Sequence, residues 1–373
     1  MTDLRIIIAG GGTGGHIFPA IAIGQALQRL RPGTRLLFVG AIGKMEMEKV
    51  PAAGYEIVGL DIAGFNRSNM LKNLLLPIKL IKSRVAARNI IESFKPDAVV
   101  GVGGYASFPI LSAAQAQSIP TLIQEQNAFA GKSNKILGKR AKAVCVAYKG
   151  MERFFKQDTI VLTGNPVRKT IADMGRSSIE GRVKYGMKDG MTTVLIIGGS
   201  LGARSINEAI AAQLGTLVSE GVQIIWQTGK PYFEEATRVA AMYQDRVRVF
   251  EFITEMEYAY AAADIVVSRA GALAIAELCI VAKPVIFVPY PFAAENHQEE
   301  NALSLVSHNA ALMVRDSDVH TELIKKLKSL LKDTTMQQLM SQNLKLLAVK
   351  DADERIALKV IEIAGTNNTV KVK

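Results

Sequence analysis

The chain is short of cysteine, aromatic residues and long apolar runs, and each shortage excludes something. Its 373 residues include only two cysteines, Cys145 and Cys279, far apart and each in apolar surroundings. That pattern reads as two buried free thiols, not a disulfide or a thiolate cage. The four histidines show no ligand spacing, so no metal site is expected. No run of 18 apolar residues occurs, and a strand pattern begins at Leu4 without a leader-like approach. A membrane-spanning helix and a secretory signal are therefore not expected, and a cytoplasmic protein is. Aromatics at 6% and the lack of a recognition motif disfavour a nucleic-acid-binding module.

What is present is an ordinary globular composition, 49% hydrophobic and 21% charged, long enough for two or three domains. The net charge of +11 is unevenly placed. Residues 1–165 carry 21 Lys and Arg against 10 Asp and Glu, whereas residues 166–373 carry 24 against 24. A one-sided basic field suits an anionic partner: nucleic acid, an anionic membrane or a polyphosphate substrate. A solvated basic face with no partner is the alternative.

Short aliphatic runs alternate with helix-length segments. In the first half the candidate strands are 4–9, 35–39, 56–60, 98–102, 121–124 and 143–147; in the second they are 193–197, 223–227, 248–250, 265–268, 285–288 and 311–314. Runs apolar throughout and separated in this way predict parallel sheets with crossover helices, hence an α/β chain of two doubly wound domains. Gly164, Asn165 and Pro166 are turn chemistry at the junction. The expected domains are 1–163 and 164–345, with a terminal helix at about 346–365 packing back on the first.

The first strand runs into Gly10, Gly11, Gly12, Thr13, Gly14, Gly15 and His16, with a helical pattern beginning near Phe18 and Pro19. Such a loop brings backbone N–H groups close to a phosphate. A dinucleotide fingerprint would also need an acid at the end of the second strand, but that strand ends Phe38, Val39, Gly40, Ala41, and the reading as a nicotinamide oxidoreductase loses its best support there. His16, beside the glycines, suits a base or a phosphate ligand. The second half is better equipped for a nucleotide. Gly198–Gly202 follows one strand; Arg269, Ala270, Gly271, Ala272 and Leu273 follow another and lead into a helix carrying Glu277, which can reach a ribose diol. Arg168 can offer a fork to a diphosphate. The polar loops 124–127 and 295–300 suit sugar hydroxyls and are expected to face each other across a cleft. The D-x-D strings at 316–318 and 351–353 read as helix caps.

Segment 65–88 places Met70, Leu71, Leu74, Leu75 and Leu76 before a stretch with Lys79, Lys82, Arg84 and Arg88; from Arg67 to Lys95 there are seven basic residues and one acid, Glu92. Leucines beside a basic helix suit shallow insertion at an anionic membrane surface, or ordinary packing on the core. A second basic stretch, 132–156, has eight basic residues against Glu152.

The ordered motifs GGTGGHIFPA from Gly10, GVGGYASFP from Gly101, QEQNAFAG from Gln124, TGNPVR from Thr163, GGSLGARSIN from Gly198, SRAGALAIAE from Ser268 and HQEENA from His297 resemble the MurG family, up to about Gly365. Leu201 and His297 stand where some members carry glutamine. The resemblance implies a GT-B fold of two Rossmann-like domains and inverting, metal-independent transfer of GlcNAc, without a cofactor, from UDP-GlcNAc to the muramoyl C4 hydroxyl of lipid I, giving lipid II. Another UDP-sugar GT-B enzyme, such as a UDP-GlcNAc epimerase, is the alternative. It further implies donor contacts from Asn127, Arg168, Ser200, Ile253, Leu273, Ala274, Glu277, His297 and Gln298. Acceptor contacts are implied for Gly11, Gly12, Thr13, Gly14, Gly15, Tyr105 and Asn134, with His16 or Glu125 as the base. Lys72, Lys79, Lys82, Leu74, Leu75 and Leu76 would face an anionic inner leaflet, placing a peripheral enzyme on the cytoplasmic face of the plasma membrane. Cell-wall and division proteins are partner expectations at the level of the family; nucleic acid is not.

Overall fold

Aliphatic runs too short for helices form two all-parallel sheets. The computed structural model describes residues 3–12, 14–62, 76–104, 106–173, 175–199 and 201–368, of which 76–81, 294 and 366–368 are described by backbone alone. The chain divides into one unit of Met1–Val167 with Asp351–Lys373 and another of Arg168–Lys350.

In the first unit β1 (Arg5–Ala9), β2 (Arg35–Ala41), β3 (Ile57–Leu60), β4 (Ala98–Gly101), β5 (Thr121–Glu125), β6 (Ala143–Val146) and β7 (Ile160–Leu162) are ordered β3-β2-β1-β4-β5-β6-β7. Side chains alternate between the faces of a strand. Ile6 and Ile8 therefore enter one core cluster and Ile7 and Ala9 another, all four completely buried. The first cluster is completed by Ile356, Ala357, Val360, Ile363 and Ala364, from the helix Ala352–Asn368, which packs on the helix Gly14–Leu30.

The second unit has β8 (Thr193–Ile197), β9 (Gln223–Gln227), β10 (Val247–Phe250), β11 (Ile265–Ser268), β12 (Val285–Phe287) and β13 (Leu312–Met313), ordered β10-β9-β8-β11-β12-β13. Its core includes Trp226, completely buried, whose indole N–H donates to Asn207 Oδ1 at 3.0 Å. That bond removes the cost of burying the indole's polar edge. Strand order reverses between β1 and β4 in one sheet and between β8 and β11 in the other, and ligands of open α/β sheets bind outside the strand C-termini at such points.

Several details differ from expectation. Strand β7 was not anticipated: three residues, partly exposed, carry little pattern. The first helix begins at Gly14, ahead of Phe18, so Gly14, Gly15 and His16 form its first turn. Pro19 inside it has no N–H to return to the Gly15 carbonyl. The terminal helix runs Ala352–Asn368, and the helix before it, Thr334–Leu347 in the second unit, is capped by Asp333 Oδ1 accepting from the Met336 N–H at 2.8 Å. Three of the four D-x-D carboxylates make ion pairs, Asp316 with Arg269 among them. Asp353 pairs with Arg29 at 2.8 Å and Asp351 with Arg355 at 2.9 Å, while Asp318 precedes its helix without a side-chain cap bond.

Candidate functional site

In the first unit the glycine loop is held from two sides. Gly104, at φ +82°, lies so close to Gly11 that a Cβ there would collide with the Gly11 carbonyl, and the Gly11 N–H donates to Gly103 O at 3.3 Å. Only glycine fits that crossing of two loops. On the other side stands Glu46, 1% exposed, whose carboxylate accepts from the Gly12 N–H and the Ala41 N–H, each at 2.9 Å. One donor expected for a phosphate is thus used inside the protein, and a Cβ on Gly11 would collide with Glu46. Sequence reasoning missed Glu46, whose partner Gly12 lies 34 positions away. His16 is half-buried and its ring covers Gly103: a Cβ there would approach His16 Nε2 to 2.9 Å.

The end of β5 and the residues that follow it are mostly inward-facing. Gln124 Nε2 donates to Asn165 Oδ1 at 2.9 Å, Asn165 Nδ2 to the Gln126 carbonyl at 2.9 Å, and Gln126 Nε2 to the Val102 carbonyl at 2.6 Å. Glu125, 2% exposed, accepts four bonds. Oε1 takes the Asn127 N–H at 3.1 Å and Asn127 Nδ2 at 3.3 Å; Oε2 takes the Gly131 N–H at 3.0 Å and Asn134 Nδ2 at 2.8 Å. Four donors match the capacity of a carboxylate. The geometry therefore gives Glu125 and Asn134 a holding role at the start of the helix Lys132–Gly138.

In the second unit Arg168 and Glu277 are joined by a two-pronged ion pair, Nε to Oε1 at 2.8 Å and Nη2 to Oε2 at 2.9 Å. The Tyr260 hydroxyl donates to Glu277 Oε2 at 3.2 Å. Burial acts to lower the Arg168 pKa, but hydrogen bonding and charge from Glu277 outweigh it, and the guanidinium is held above its usual value. Glu277 lies on the helix Ala272–Val281, which begins with Ala272, Leu273 and Ala274 at the end of β11. Gln227 is a second unforeseen residue. At 2% exposure it donates to the Gly199 carbonyl at 3.0 Å and accepts the Ile253 N–H at 3.0 Å, so it ties the glycine loop after β8 to Ile253, one of the expected donor contacts.

Arg269 is also a tie. Its guanidinium reaches Asp316 Oδ1 at 2.5 Å, the Val288 carbonyl at 3.0 Å and Ser205 Oγ at 3.0 Å, and Ser205 donates to Asp316 at 2.6 Å. This cluster braces the C-terminal edge of the sheet, where the loop of His297 and Gln298 follows. Glu295 and Asn296 there have φ of +52° and +56°, a conformation that costs non-glycine residues about 1–3 kcal/mol each and gathers at functional sites. Gln298 Oε1 accepts the Tyr290 N–H at 2.9 Å, and His297 is half-buried.

Thr13, Tyr105, Ser200, Lys72, Leu74 and Leu75 lie outside the described residues, as do the side chains of Leu76 and Lys79; Lys82 is exposed. Among the described residues no three His, Cys, Asp or Glu side chains gather as a metal site, and no helix is long and apolar enough to cross a membrane.

Both halves match known families. Residues 6–146 match the glycosyltransferase family 28 N-terminal domain and residues 193–356 the glycosyltransferase family 28 C-terminal domain. The UDP-N-acetylglucosamine--N-acetylmuramyl-(pentapeptide) pyrophosphoryl-undecaprenol N-acetylglucosamine transferase of Cytophaga hutchinsonii is 51% identical, over 97% of this chain and 98% of its own. The crystal structure of Acinetobacter baumannii MurG superposes with a TM-score of 0.78 at 28% identity, covering 96% of this chain and 99% of that one. A putative UDP-N-acetylglucosamine 2-epimerase from Listeria monocytogenes reaches a TM-score of 0.69 at 14% identity, covering 96% of each chain, which is a likeness of fold alone. Two parallel-sheet units with glycine loops at both points of strand reversal, and a half-identical relative along nearly the whole length, place this chain in the MurG family of glycosyltransferase family 28.

Proposed function

We propose that this chain transfers GlcNAc from UDP-GlcNAc to the muramoyl C4 hydroxyl of lipid I, releasing UDP and forming lipid II. The observation that carries this reading is the 51% identity to a transferase named for that reaction, over 97% of the chain. The epimerase alternative rests on fold likeness only.

In this reading the second unit holds the nucleotide. Glu277 takes the ribose hydroxyls, and the helix start at Leu273 and Ala274, with Ser200, takes the diphosphate, where helix N–H groups favour an anion. Because the Ile253 N–H is used by Gln227, uracil recognition rests on the Ile253 carbonyl. Arg168 neutralises the departing UDP, and must turn from Glu277 to do so. His297 and Gln298 meet the sugar hydroxyls. In the first unit the glycine loop, with Thr13 and Tyr105, takes the acceptor pyrophosphate, less the Gly12 donor held by Glu46. His16 accepts the proton of the C4 hydroxyl as its oxygen attacks the anomeric carbon; with the Glu125 carboxylate fully hydrogen-bonded, His16 is the stronger candidate for the base.

Mixing the protein with UDP-GlcNAc, a lipid I analogue and excess chelator should release UDP only when the analogue is present. UDP formed equally without acceptor would sink the reading. The basic, leucine-bearing segment is proposed to hold the enzyme on the cytoplasmic face of the plasma membrane, each basic residue near an anionic surface being worth about 1 kcal/mol. Replacing Lys72, Lys79 and Lys82 together by glutamine should then cut sedimentation with anionic vesicles by at least about 10-fold; unchanged sedimentation would reject this contact.

A further inference from the structure

We propose that Tyr260 is a specificity-determining positioning residue: its hydroxyl fixes the Glu277 carboxylate so that the enzyme distinguishes a ribose diol from a deoxyribose. The inference rests on the reading that Glu277 holds the ribose.

Tyr260 lies on the helix Met256–Ala262, is 2% exposed, and sends its hydroxyl to Glu277 Oε2 at 3.2 Å. Packing alone does not call for that oxygen, since phenylalanine would fill the same volume without a buried polar atom needing a partner. Glu277 itself is 7% exposed, and a buried carboxylate is directed by whatever donates to it. An ionised carboxylate offers about four lone-pair positions. Arg168 takes one on Oε1 and one on Oε2, and Tyr260 takes a second on Oε2. With Arg168 in place the one remaining position is on Oε1; when Arg168 turns to the diphosphate, a position on each oxygen opens to the ribose hydroxyls while Tyr260 still occupies its place on Oε2. Burial, then the neighbouring Glu277 charge, holds the phenol well above its ordinary pKa, and the hydroxyl stays a donor throughout any working pH. If Arg168 turns away to the diphosphate, Tyr260 is the donor that stays and keeps the carboxylate from rotating.

The test compares binding of UDP with binding of 2′-deoxy-UDP and 3′-deoxy-UDP to the full chain by calorimetry. Tyr260→Phe should lower the preference for UDP over at least one deoxy analogue by about 2–10-fold, the range of one net hydrogen bond. It should also raise the KM for UDP-GlcNAc with kcat little changed, the mark of lost ground-state binding. A residue that only fills space would leave the preference between analogues where it was. The full chain with 3-fluorotyrosine at position 260, a stronger donor of nearly the same shape, should move the preference upward, and this arm does not depend on how the phenylalanine chain folds. Glu277→Gln separates the two levels of the argument. If Glu277→Gln keeps the whole preference for UDP, the ribose reading itself is overturned. If Glu277→Gln loses it while both Tyr260 substitutions leave it unchanged, the positioning role of Tyr260 is overturned and the ribose reading stands.

Discussion

Replacing His16 with alanine is expected to lower turnover by about 10²–10⁴-fold, the usual contribution of a positioned general base, with UDP-GlcNAc affinity nearly unchanged. The two readouts separate because His16 belongs to the first unit, while Arg168, Ile253, Leu273, Ala274 and Glu277 belong to the second. The imidazole is held by geometry, in the first turn of the helix Gly14–Leu30 and against Gly103. Alanine removes the imidazole ring but keeps the helix, so the loss should appear in kcat. Steady-state kinetics with a lipid I analogue, paired with calorimetry of UDP-GlcNAc binding, provide the check. A collapse of donor affinity would mean that the nucleotide is assigned to the wrong unit, and unchanged turnover would remove His16 as the base. Glu125→Gln is the companion variant. It weakens the bonds that hold Asn127, Gly131 and Asn134 around the carboxylate, so its effect should appear in stability at least as strongly as in rate.

Ending the chain at Lys350 is expected to unfold the first unit and leave the second intact. Ile356 and Val360 are completely buried and Ile363 is 5% exposed, all in the core cluster that includes Ile6, Ile8 and Ile17. Burying each such side chain contributes about 1.5–3 kcal/mol, so the three together contribute about 5–9 kcal/mol, comparable with the whole stability of a typical domain, about 5–15 kcal/mol. Limited proteolysis of the shortened chain should degrade residues 1–167 and spare a fragment near 168–350. The milder Ile356→Ala should cost about 2–5 kcal/mol and lower the melting transition of the first unit only. A shortened chain whose first unit resists protease as the parent does would contradict this account of the helix.

Much of this architecture is legible in the amino-acid order because it is local. The strands Thr193–Ile197, Gln223–Gln227 and Ile265–Ser268 coincide with apolar runs bounded by polar or turn residues, and the glycine loops announce themselves by composition. Glu46, Gln227, Tyr260 and Asp316 are not legible, because each is defined by a partner 17 to 47 positions away. A carboxylate beside a glycine-loop N–H looks in the sequence like any helix-start acid. Glu125 misleads in the opposite sense: it sits in a conspicuous motif, yet folding surrounds it with amide donors. The start of the first helix was misplaced because glycine has a poor helical propensity, which the tertiary setting overrides here.

The division of the chain also has a consequence for biosynthesis. The first unit opens the sequence but is completed by Asp351–Lys373, with the whole of Arg168–Lys350 between. On a ribosome adding about 5–20 residues each second, the unit begun first waits roughly 10–40 s for its last helix while its neighbour can already fold. During that interval the faces of the helix Gly14–Leu30 and of the first sheet that Ile356 and Val360 will cover are open to the solvent, and a chaperone that shields nascent apolar surface would find its target there.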